Sequence, residues 1–431
     1  MNRPYVGLAS KHQPEDQPRT ILKELPRLRF TNKIECAMIG RTAEETELDF
    51  ELTEEQQMIK AMARDFREKE IDPHVAEYDK EERYPTDIAR KMGELGMLGG
   101  VIPEVYGGAA MSYMNLVALI EEISRSCHIL GATISFPSGL AGSSLLFYGT
   151  EEQKQKYLVP YAQGKTLAGA GVTEPHSGTD VAAMETVVEK KGDHYLVNGA
   201  KTWISFLEQA SWFISFAQMD KSKGRRGICA FIFEPGWPGV SFRPFKNKVG
   251  YRPVSTGELF FEDVKVPLDN LVGQEGQGFS VAMCSVENGR MGVAARAVGV
   301  IQSCVDESVK YARDRIIFGQ PIGRFQLIQN KITDMVLGLE TARFLTYKLA
   351  WTKDKGATRA QKEASMAKLY STDVLMKTAT DAVQIHGAYG CSDEYPVGRY
   401  FRDAKFFQMV EGTTEIHRVL VAEHALGYRK D

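Results

Sequence analysis

The spacing of apolar residues changes twice along the chain, and this change limits the folds available to it. From Phe50 to about residue 165, apolar residues recur every three or four positions, as they do in amphipathic helices. Between residues 166 and 273 they fall in short runs rich in β-branched and aromatic residues, which are typical of strands. From Gly276 the helical spacing returns and persists almost to the end. The pattern predicts an α+β protein in which a β-region separates two helical regions.

The length of the chain favours several domains. It has 431 residues, more than one hydrophobic core usually contains. Residues 1–48 carry proline and charge without clear periodicity, and we interpret them as an N-terminal extension. The expected domains are then a helical domain over 49–165, a β-domain over 166–273 and a second helical domain over 274–431.

A capping-box pattern marks the expected start of the first helix. Thr53 is followed three residues later by Gln56, the spacing at which two side chains can cap a helix N-terminus reciprocally. Behind this pattern, Met58, Met62 and Phe66 lie four residues apart. That spacing predicts one apolar stripe on the first helix.

Composition excludes several classes of protein. The 53 basic and 56 acidic residues give a formal net charge of −3, so we expect no attraction to nucleic acid or to an anionic membrane. No apolar run approaches the roughly 20 residues of a membrane-spanning helix, so no membrane insertion is expected. The six cysteines are scattered without a Cys-x-x-Cys pair, which predicts no metal site and favours a reducing compartment.

The first residues bear on the compartment in which the protein works. They lack the apolar stretch of a signal peptide, and Glu15 and Asp16 argue against a transit peptide. We therefore expect a cytoplasmic protein in a bacterium, or a mitochondrial-matrix protein if the chain is eukaryotic.

Two segments near the start of the β-region offer polar groups suited to a ligand. Segment 169–180, GAGVTEPHSGTD, combines glycines with the hydroxyls of Thr173 and Thr179, although a plain surface turn has the same composition. In the strand pattern KTWIS, Trp203 can cover an aromatic cofactor while Ser205 donates a hydrogen bond from the same face. A strand tryptophan taken alone is more often part of the core.

An arginine interrupts the apolar stripe of the long helix predicted after Gly276. Arg290 lies four residues after Val286 and three before Val293, and a cation on an inward face requires a partner or a ligand. Glu287, three residues earlier, can supply a salt bridge. That interpretation competes with a role in holding an anionic or polar ligand.

Two segments between helices combine groups that suit a dinucleotide. Segment 314–326, DRIIFGQPIGRFQ, offers charge, stacking surface and amide in Arg315, Phe318 and Gln326, although a solvated helix hairpin is the more common explanation of such a segment. Segment 384–390, QIHGAYG, ends a helix in glycine-rich backbone that is compatible with phosphate, or only with helix capping.

The strongest candidate for chemistry is Glu411 in the segment VEGTTEIHR. It follows the apolar run KFFQMV and precedes Gly412, so its pKa is expected to be raised and its carboxylate to act as a base. The competing interpretation is a helix N-terminus capped by Thr413 or Thr414, with Glu415 in the first turn. Both can hold together, because a cap would fix the direction of Glu411. The chain has no GxSxG, HExxH, Walker A or post-strand GxGxxG motif, so hydrolase, metalloprotease and nucleotide-motor functions lack support.

The order of these motifs is more specific than any one of them. Along the chain follow LGMLGGVIPEVYGG, VTEPHSGTD, TWIS, RIIFGQPIGRFQ, QIHGAYG and VEGTTEIHR. Over residues 50–428 the chain thereby resembles the acyl-CoA dehydrogenase family. The resemblance implies an N-terminal helical domain, a central β-domain and a C-terminal four-helix bundle. It also implies one FAD per subunit in a homotetramer.

The resemblance further implies which residues hold the cofactor and the substrate. The positions that match the family's FAD-binding motifs are Val172, Thr173, Thr179, Trp203, Ser205, Arg315, Phe318, Gln326, Gln384, Gly387, Gly390, Thr413 and Glu415. Of these, Arg315, Phe318, Gln326 and the backbone of 384–390 are expected to reach the FAD of a neighbouring subunit. The positions that match substrate contacts are Glu287, Arg290 and Gly412. Ser205 stands where relatives often have Thr, and Glu415 where many have Gln.

Glu411 matches the catalytic base of the family. In such enzymes the base removes the α-proton of an acyl-CoA thioester, the β-hydrogen passes as hydride to flavin N5, and the electrons go on to an electron-transfer flavoprotein. A flavin ribityl hydroxyl and the N–H of the base, here Glu411, stabilise the thioester oxygen. Some relatives carry the base on the long helix instead, at the position of Gly289, which cannot serve here.

The substrate class stays open at this stage. Gly131 matches the arginine with which glutaryl-type relatives hold a distal carboxylate, so that arginine is absent. Arg296 stands where relatives have Gly, two helical turns beyond Gly289, and can hold a carboxylate from another wall. A salt-bridge or interface role for Arg296 competes with this interpretation.

Several alternatives to a general acyl-CoA dehydrogenase follow from the same resemblance. They are a specialist for dicarboxylic or for cyclic or aromatic acyl-CoA, an oxygen-using acyl-CoA oxidase or flavin hydroxylase, and a non-catalytic acyl-CoA-binding relative.

Overall fold

Helices form the first part of the fold. The computed structural model describes residues 51–429, so the predicted extension 1–48 lies outside the described residues. The α-helices before the sheet are α1 (Glu54–Phe66), α2 (Val75–Lys80), α3 (Thr86–Glu94), α4 (Tyr113–Ser124), α5 (His128–Ser138), α6 (Leu140–Tyr148), α7 (Glu151–Gln153) and α8 (Val159–Ala162). Two π-helical turns, Arg67–Ile71 and Lys154–Leu158, continue α1 and α7.

The first helix starts where the sequence predicts it, but it buries only part of its predicted apolar stripe. Thr53 and Gln56 form the reciprocal capping box, which confirms the predicted helix start. The predicted apolar stripe is wrong at Met58 and Met62, which are 72% and 44% exposed. Phe66, the third residue of the stripe, is buried together with Ala63, and α1 packs against α4.

The middle of the chain forms an eight-stranded sheet with the strand order β6-β7-β3-β2-β4-β5-β8, and β1 pairs in parallel with β4. The strands are β1 (Ala168–Gly171), β2 (Val187–Lys191), β3 (His194–Ser205), β4 (Trp212–Gln218), β5 (Ile228–Phe233), β6 (Val240–Pro244), β7 (Thr256–Pro267) and β8 (Leu271–Val272). The long antiparallel pair β3–β7 shifts register between Lys201 and Ile204. Such an irregularity re-aims side chains, and Trp203 lies within it.

Long helices form the last part of the fold. They are α9 (Gly278–Asp314), α10 (Gln326–Asp354), α11 (Gln361–His386), α12 (Val397–Phe407) and α13 (Thr414–Ala425). A small hairpin of β9 (Ile316–Ile317) and β10 (Gln320–Pro321) connects α9 to α10. The helices α9, α10 and α11 pack on one another, and α13 packs on α11. The predicted order of helical, β and helical regions is thus confirmed, while the predicted domain bounds stay a prediction.

The long helix α9 runs against the N-terminal helices at backbone contact distance. A Cβ atom at Gly292 would lie 2.6 Å from Cβ of Ser135 on α5, and one at Gly299 would lie 2.3 Å from the Glu121 carbonyl oxygen on α4. Because real Cβ atoms do not approach so closely, only glycine permits this packing. The close approach brings α5 and α9 together where the candidate site lies.

One apolar segment needs comment because of its length. His128–Tyr148 is long and apolar enough to cross a membrane, although the sequence predicts no run of that length. In the fold it is divided into α5 and α6 at Gly139, and 83% of its apolar window is buried. Such burial is typical of core helices.

A buried carboxylate ties the N-terminal helices to the later bundle. Glu121 on α4 accepts hydrogen bonds from Lys60 Nζ at 2.9 Å and from Tyr347 Oη at 2.8 Å. Arg343 on α10 donates to the same carboxylate through Nε and Nη2 at 3.2 and 3.1 Å. Burial raises the pKa of Glu121, but Arg343 and Lys60 outweigh it and the net shift is downward. The carboxylate therefore stays ionised and joins α1, α4 and α10.

A second buried ion pair fixes the loop that follows β1. Glu174 accepts a hydrogen bond from Lys201 Nζ at 2.6 Å and further ones from the N–H groups of Glu185 and Thr186, at 2.5 and 3.1 Å. Burial lowers the pKa of Lys201 to about 8 even though Glu174 opposes that shift. The pair joins the 169–180 loop to strand β3.

We expect Lys201→Met to lower the free energy of unfolding by about 3–5 kcal/mol, because it leaves the Glu174 carboxylate buried without its cation. Urea unfolding followed by tryptophan fluorescence measures the change. The double variant Lys201→Met with Glu174→Gln is expected to recover part of the loss, since it removes the orphaned charge. A double variant less stable than Lys201→Met would contradict this explanation.

Candidate active site

Glu411 lies in a strained turn between α12 and α13. Its φ is +54°, and Gly412 follows with a φ of +102°. A left-handed conformation at a residue with a side chain costs about 1–3 kcal/mol and persists only where the surroundings enforce it. The turn directs Glu411 toward α9, where a Cβ atom at Gly289 would lie 2.2 Å from Oε2. Gly289 therefore leaves the space that this carboxylate occupies.

Three side chains hold the carbonyl groups of this turn. Lys368 on α11 donates from Nζ to the Gly412 oxygen at 2.6 Å and to the Gln408 oxygen at 3.3 Å. Arg290 on α9 donates from Nε to the backbone carbonyl oxygen of Glu411 at 3.2 Å. His417 on α13 places Nε2 3.3 Å from the same oxygen. The backbone around Glu411 is thereby anchored to three helices.

The charges around Glu411 leave its carboxylate poised near neutrality. Burial raises the pKa of Glu411 to about 7, although Arg296, Arg290 and Lys368 each lower it. Oε2 is buried and has no hydrogen-bond partner among residues 51–429. Burial, together with the two neighbouring cations, lowers the pKa of His417 to about 3, so this histidine is neutral. A desolvated carboxylate with a pKa near the working pH has the properties of a general base.

The loop after β1 and the irregular part of β3 lie side by side. The N–H of Thr202 donates to the Thr173 carbonyl at 2.8 Å, which places Val172 and Thr173 beside Trp203. Trp203 has a φ of +59° and is 54% exposed. It is therefore not a core residue, and Ser205 lies two residues on at the same half-exposed strand face. Thr179, on the same loop, is exposed.

Aromatic contacts connect this surface to the turn of Glu411. The Trp203 ring lies 4.9 Å from the ring of Phe245 and 6.3 Å from that of Phe406, measured between centroids. Phe406 belongs to α12, the helix that leads into the turn of Glu411. An exposed indole beside the loop of Thr173, and in ring contact with the helix that leads to Glu411, fits an extended aromatic cofactor with polar edges.

A second group of predicted residues lies at the hairpin between α9 and α10. Arg315, Phe318 and Gln326 are exposed, with Phe318 90% exposed at a φ of +52°. The Arg315 guanidinium lies 5.8 Å from the Tyr389 ring centroid, which joins this group to segment 384–390.

The end of α11 belongs to the same group. Gly387 follows the helix with a φ of +62°, so the helix-capping interpretation of this glycine is confirmed. Gln384 and Gly387 are exposed, and Gly390 is buried. Within residues 51–429 no hydrogen bond or ring contact joins this second group to Trp203. Its predicted reach toward a neighbouring subunit stays a prediction.

The helix-cap interpretation holds together with the position of Glu411 in the turn before α13. Thr413 is the N-cap residue of α13, although its side chain makes no capping hydrogen bond, and Glu415 lies in the first turn. The backbone N–H of Glu415 and the Thr413 side chain lower the pKa of Glu415. Unlike Glu411, Glu415 is therefore an ordinary ionised surface carboxylate.

Two expectations about arginines on α9 need correction. Glu287 forms no salt bridge with Arg290. Its carboxylate instead lies 3.5 Å from Arg359 Nε and accepts the Ala360 N–H at 2.7 Å, because α11 begins beside it. Arg296 forms no ion pair with any residue from 51 to 429, so the salt-bridge interpretation is also wrong. Arg296 Nη1 lies 2.5 Å from Tyr251 Oη.

The sequence interpretation missed Lys368 and Tyr251. Lys368 lies on the same helical face as Ala364, Ser371 and Leu375, all buried, so a periodicity count on α11 could have placed it inward. Tyr251 lies in the connection between β6 and β7, where no periodic pattern indicates its burial. Among residues 51–429, no cluster of three or more His, Cys, Asp or Glu residues could hold a metal ion.

Comparisons with known proteins agree over nearly the whole described chain. Three family models match it: the acyl-CoA dehydrogenase N-terminal domain at residues 53–165, the middle domain at 169–264 and the C-terminal domain at 276–426. A short-chain-specific acyl-CoA dehydrogenase of Clostridium acetobutylicum is 41% identical, over 87% of this chain and 99% of that protein. A glutaryl-CoA dehydrogenase of Desulfococcus multivorans is 42% identical, over 89% of this chain and 99% of that protein.

A solved structure is similar to the same extent. It comes from work on the electron transferring flavoprotein of Acidaminococcus fermentans and on flavin-based electron bifurcation. The similarity has a TM-score of 0.85 at 42% identity, and it covers 88% of this chain and 100% of that one.

We expect Lys368→Met to raise the pKa of Glu411, because one of the three cations that stabilise its ionised form is removed. The free energy of unfolding is expected to fall by about 1–3 kcal/mol, since two carbonyls lose a charged donor. An infrared titration of the protonated carboxyl band, assigned with Glu411→Gln, measures the pKa, and urea unfolding measures the stability. Lys377→Met, which removes an exposed lysine from the same helix, is the control. An unchanged pKa of Glu411 in Lys368→Met would refute the coupling.

Proposed function

Because this chain belongs to the acyl-CoA dehydrogenase family, whose members are flavin-dependent oxidoreductases, we propose that it oxidises an acyl-CoA thioester to the 2-enoyl-CoA with Glu411 as the base. The observation that carries the proposal is the Glu411 carboxylate itself. It is desolvated, its pKa is about 7, and its turn is anchored by Lys368 and Arg290. Gly289 offers no competing base at its own position on α9.

Proton removal is the step that the chain's own residues perform. A thioester acidifies its α-hydrogen, and Glu411 in its ionised form can accept that proton. The backbone N–H of Glu411 donates no hydrogen bond to any residue from 51 to 429, so it is available to the thioester oxygen. A donor directed at an oxygen that gains negative charge lowers the barrier most where water is excluded. Base and donor thus come from one residue in one fixed turn.

The cofactor that this arrangement would take is FAD. We assign Val172, Thr173, Thr179, Trp203 and Ser205 to the ring and its polar edges, with Thr413 and Glu415 at the turn beyond Glu411. When bound, the flavin accepts the β-hydrogen as hydride, which balances the proton taken by Glu411 and leaves a carbon–carbon double bond. We assign Arg315, Phe318, Gln326 and the backbone at Gln384, Gly387 and Gly390 to the FAD of a neighbouring subunit in a homotetramer.

Substrate contacts and the electron acceptor complete the proposal. We assign Arg290, Glu287 and Gly412 to contacts with the CoA part of the substrate. Gly412 belongs to the turn of Glu411, and Glu287 and Arg290 lie on α9, which contacts that turn. An electron-transfer flavoprotein is the proposed acceptor, which the similarity to the Acidaminococcus fermentans chain supports. An ionisable base in place favours a dehydrogenase over a flavin hydroxylase or a non-catalytic binding protein.

We expect Glu411→Gln to abolish reduction of the bound flavin by acyl-CoA, with a loss of at least about 10³-fold, because the amide cannot accept the α-proton. Stopped-flow absorbance at the flavin band under anaerobic conditions measures the rate. Glu152→Gln, which neutralises an exposed carboxylate on α7, is the matched control and should behave as the unmodified protein. Bleaching of Glu411→Gln at the unmodified rate would refute the proposed base.

We expect kcat/KM to fall as the pH drops below about 7, by roughly tenfold per pH unit, because Glu411 is then protonated and cannot act as a base. Above that pH the value should level off. An α-deuterated substrate tests whether proton removal limits the rate, since it should lower the plateau. A kcat/KM that stays constant from about pH 5.5 to about pH 7 would contradict the assignment.

A further inference from the structure

A buried arginine stands opposite the base without an ion-pair partner. Arg296 lies on α9 and is 2% exposed, yet it forms no ion pair with any residue from 51 to 429. Of the three cations that lower the pKa of Glu411, Arg296 has the largest effect, and it lies two helical turns from Gly289, which packs against that carboxylate. A guanidinium kept in the interior without a paired anion is costly. Among residues 51–429, no carboxylate therefore pairs directly with this positive charge.

The hydrogen bonds of Arg296 leave part of its guanidinium free. Nε donates to the Gly292 carbonyl at 3.3 Å, and Nη1 donates to Tyr251 Oη at 2.5 Å. Nη2 forms no hydrogen bond with any residue from 51 to 429. Nη2 is not fully buried, so it borders accessible space. Oε1 of Glu411 likewise forms no hydrogen bond with any residue from 51 to 429 and is not fully buried, whereas Oε2 is fully buried.

The surroundings hold this guanidinium in one place. Its central carbon lies 5.3 Å from the Phe407 ring centroid, and the Tyr251 ring stacks on Phe406 at 5.1 Å. The Tyr251 N–H donates to Asp403 Oδ1 at 2.8 Å, and Asp403 Oδ2 lies 3.0 Å from His128 Nε2. The nearby carboxylate of Asp403 is thus already engaged. The arginine and the tyrosine hydroxyl are preorganised donors beside the base.

Helix α5 presents a glycine, Gly131, to the Arg296 side chain. A Cβ atom at Gly131 would lie 3.1 Å from Cγ of Arg296 and 2.0 Å from Oγ of Ser124. No side chain from this position can therefore enter. Along α9, Gly289 and Arg296 are seven residues apart, which corresponds to about 10 Å, and helical side chains bend toward the N-terminus. Arg296 thus lies along α9 at a distance from Gly289, the residue against which Glu411 packs, that a short acyl chain can span.

From this geometry we infer that Arg296, with the Tyr251 hydroxyl, binds the distal carboxylate of a short ω-carboxyacyl thioester. The inference rests on the proposed acyl-CoA dehydrogenation and names its substrate class. The bound carboxylate would accept hydrogen bonds from Nη2 and supply the anion that Arg296 lacks. Similarity does not decide between substrate classes, because the short-chain and glutaryl-CoA relatives are 41% and 42% identical.

The test measures binding separately from chemistry. In the Glu411→Gln background, calorimetry gives the Kd of glutaryl-CoA and of valeryl-CoA, which has the same chain length without the carboxylate. We expect Arg296→Met to weaken the binding of glutaryl-CoA about 100-fold more than that of valeryl-CoA, because a buried carboxylate loses its cation. Tyr251→Phe, which removes only a hydroxyl, should weaken the binding of glutaryl-CoA about tenfold more than that of valeryl-CoA. Arg313→Met, which removes an exposed arginine from the last turn of α9, is the control for charge alone.

The possible outcomes separate this inference from the proposed function. If Arg296→Met and Tyr251→Phe weaken both thioesters equally, Arg296 is only structural and the inference is wrong. If the unmodified protein oxidises valeryl-CoA but neither binds nor oxidises glutaryl-CoA, the inference fails while the proposed function stands. If glutaryl-CoA binds in an Arg296-dependent way but no thioester bleaches the flavin, the subsite is supported and the proposed function fails. Should Arg296→Met not fold, Arg296→Lys and Tyr251→Phe give the same comparison.

Discussion

The balance between burial and positive charge at Glu411 is the interaction on which the rest of the site depends. Burial alone would keep this carboxyl protonated, and three nearby cations alone would make it too weak a base. Together they leave its pKa at about 7. At that value the carboxylate is substantially ionised near neutrality and still accepts a proton readily. The cations come from α9 and α11, so the packing of these two helices determines the chemistry.

Several costly local features follow from this balance. Glu411 adopts a left-handed conformation, Lys368 is fully buried, and Gly289 lies in the interior of a long helix. A glycine within a helix costs about 1 kcal/mol, and the strained turn costs about 1–3 kcal/mol. Rigid helices offset these costs, since α9 is 37 residues long and packs at backbone contact distance on α4 and α5. The fold thus tolerates locally unfavourable conformations where they hold the base in position.

The sequence allowed the order of the three regions and the candidate base to be predicted, because both depend on local patterns. The apolar run before Glu411 and the glycine after it indicate a buried turn without knowledge of the fold. The Glu287–Arg290 pairing was wrong because helical spacing says only which residues can meet, while Arg359 and the start of α11 are tertiary neighbours. Lys368 was missed for the same reason: a lysine becomes an anchor only when the end of α12 and the turn that follows supply carbonyls to it.

The charge of the site also bears on what enters it. Arg290 and Lys368 have backbone oxygens as partners, whereas Arg296 has one carbonyl and a tyrosine hydroxyl. A neutral acyl chain placed there would leave the guanidinium buried without a directly paired anion. An anionic acyl end would supply a paired carboxylate, which is the arrangement in which a buried cation is least costly. The same carboxylate would partly offset the influence of Arg296 on Glu411 and so favour a more basic Glu411. Substrate charge and base strength are therefore coupled through one arginine.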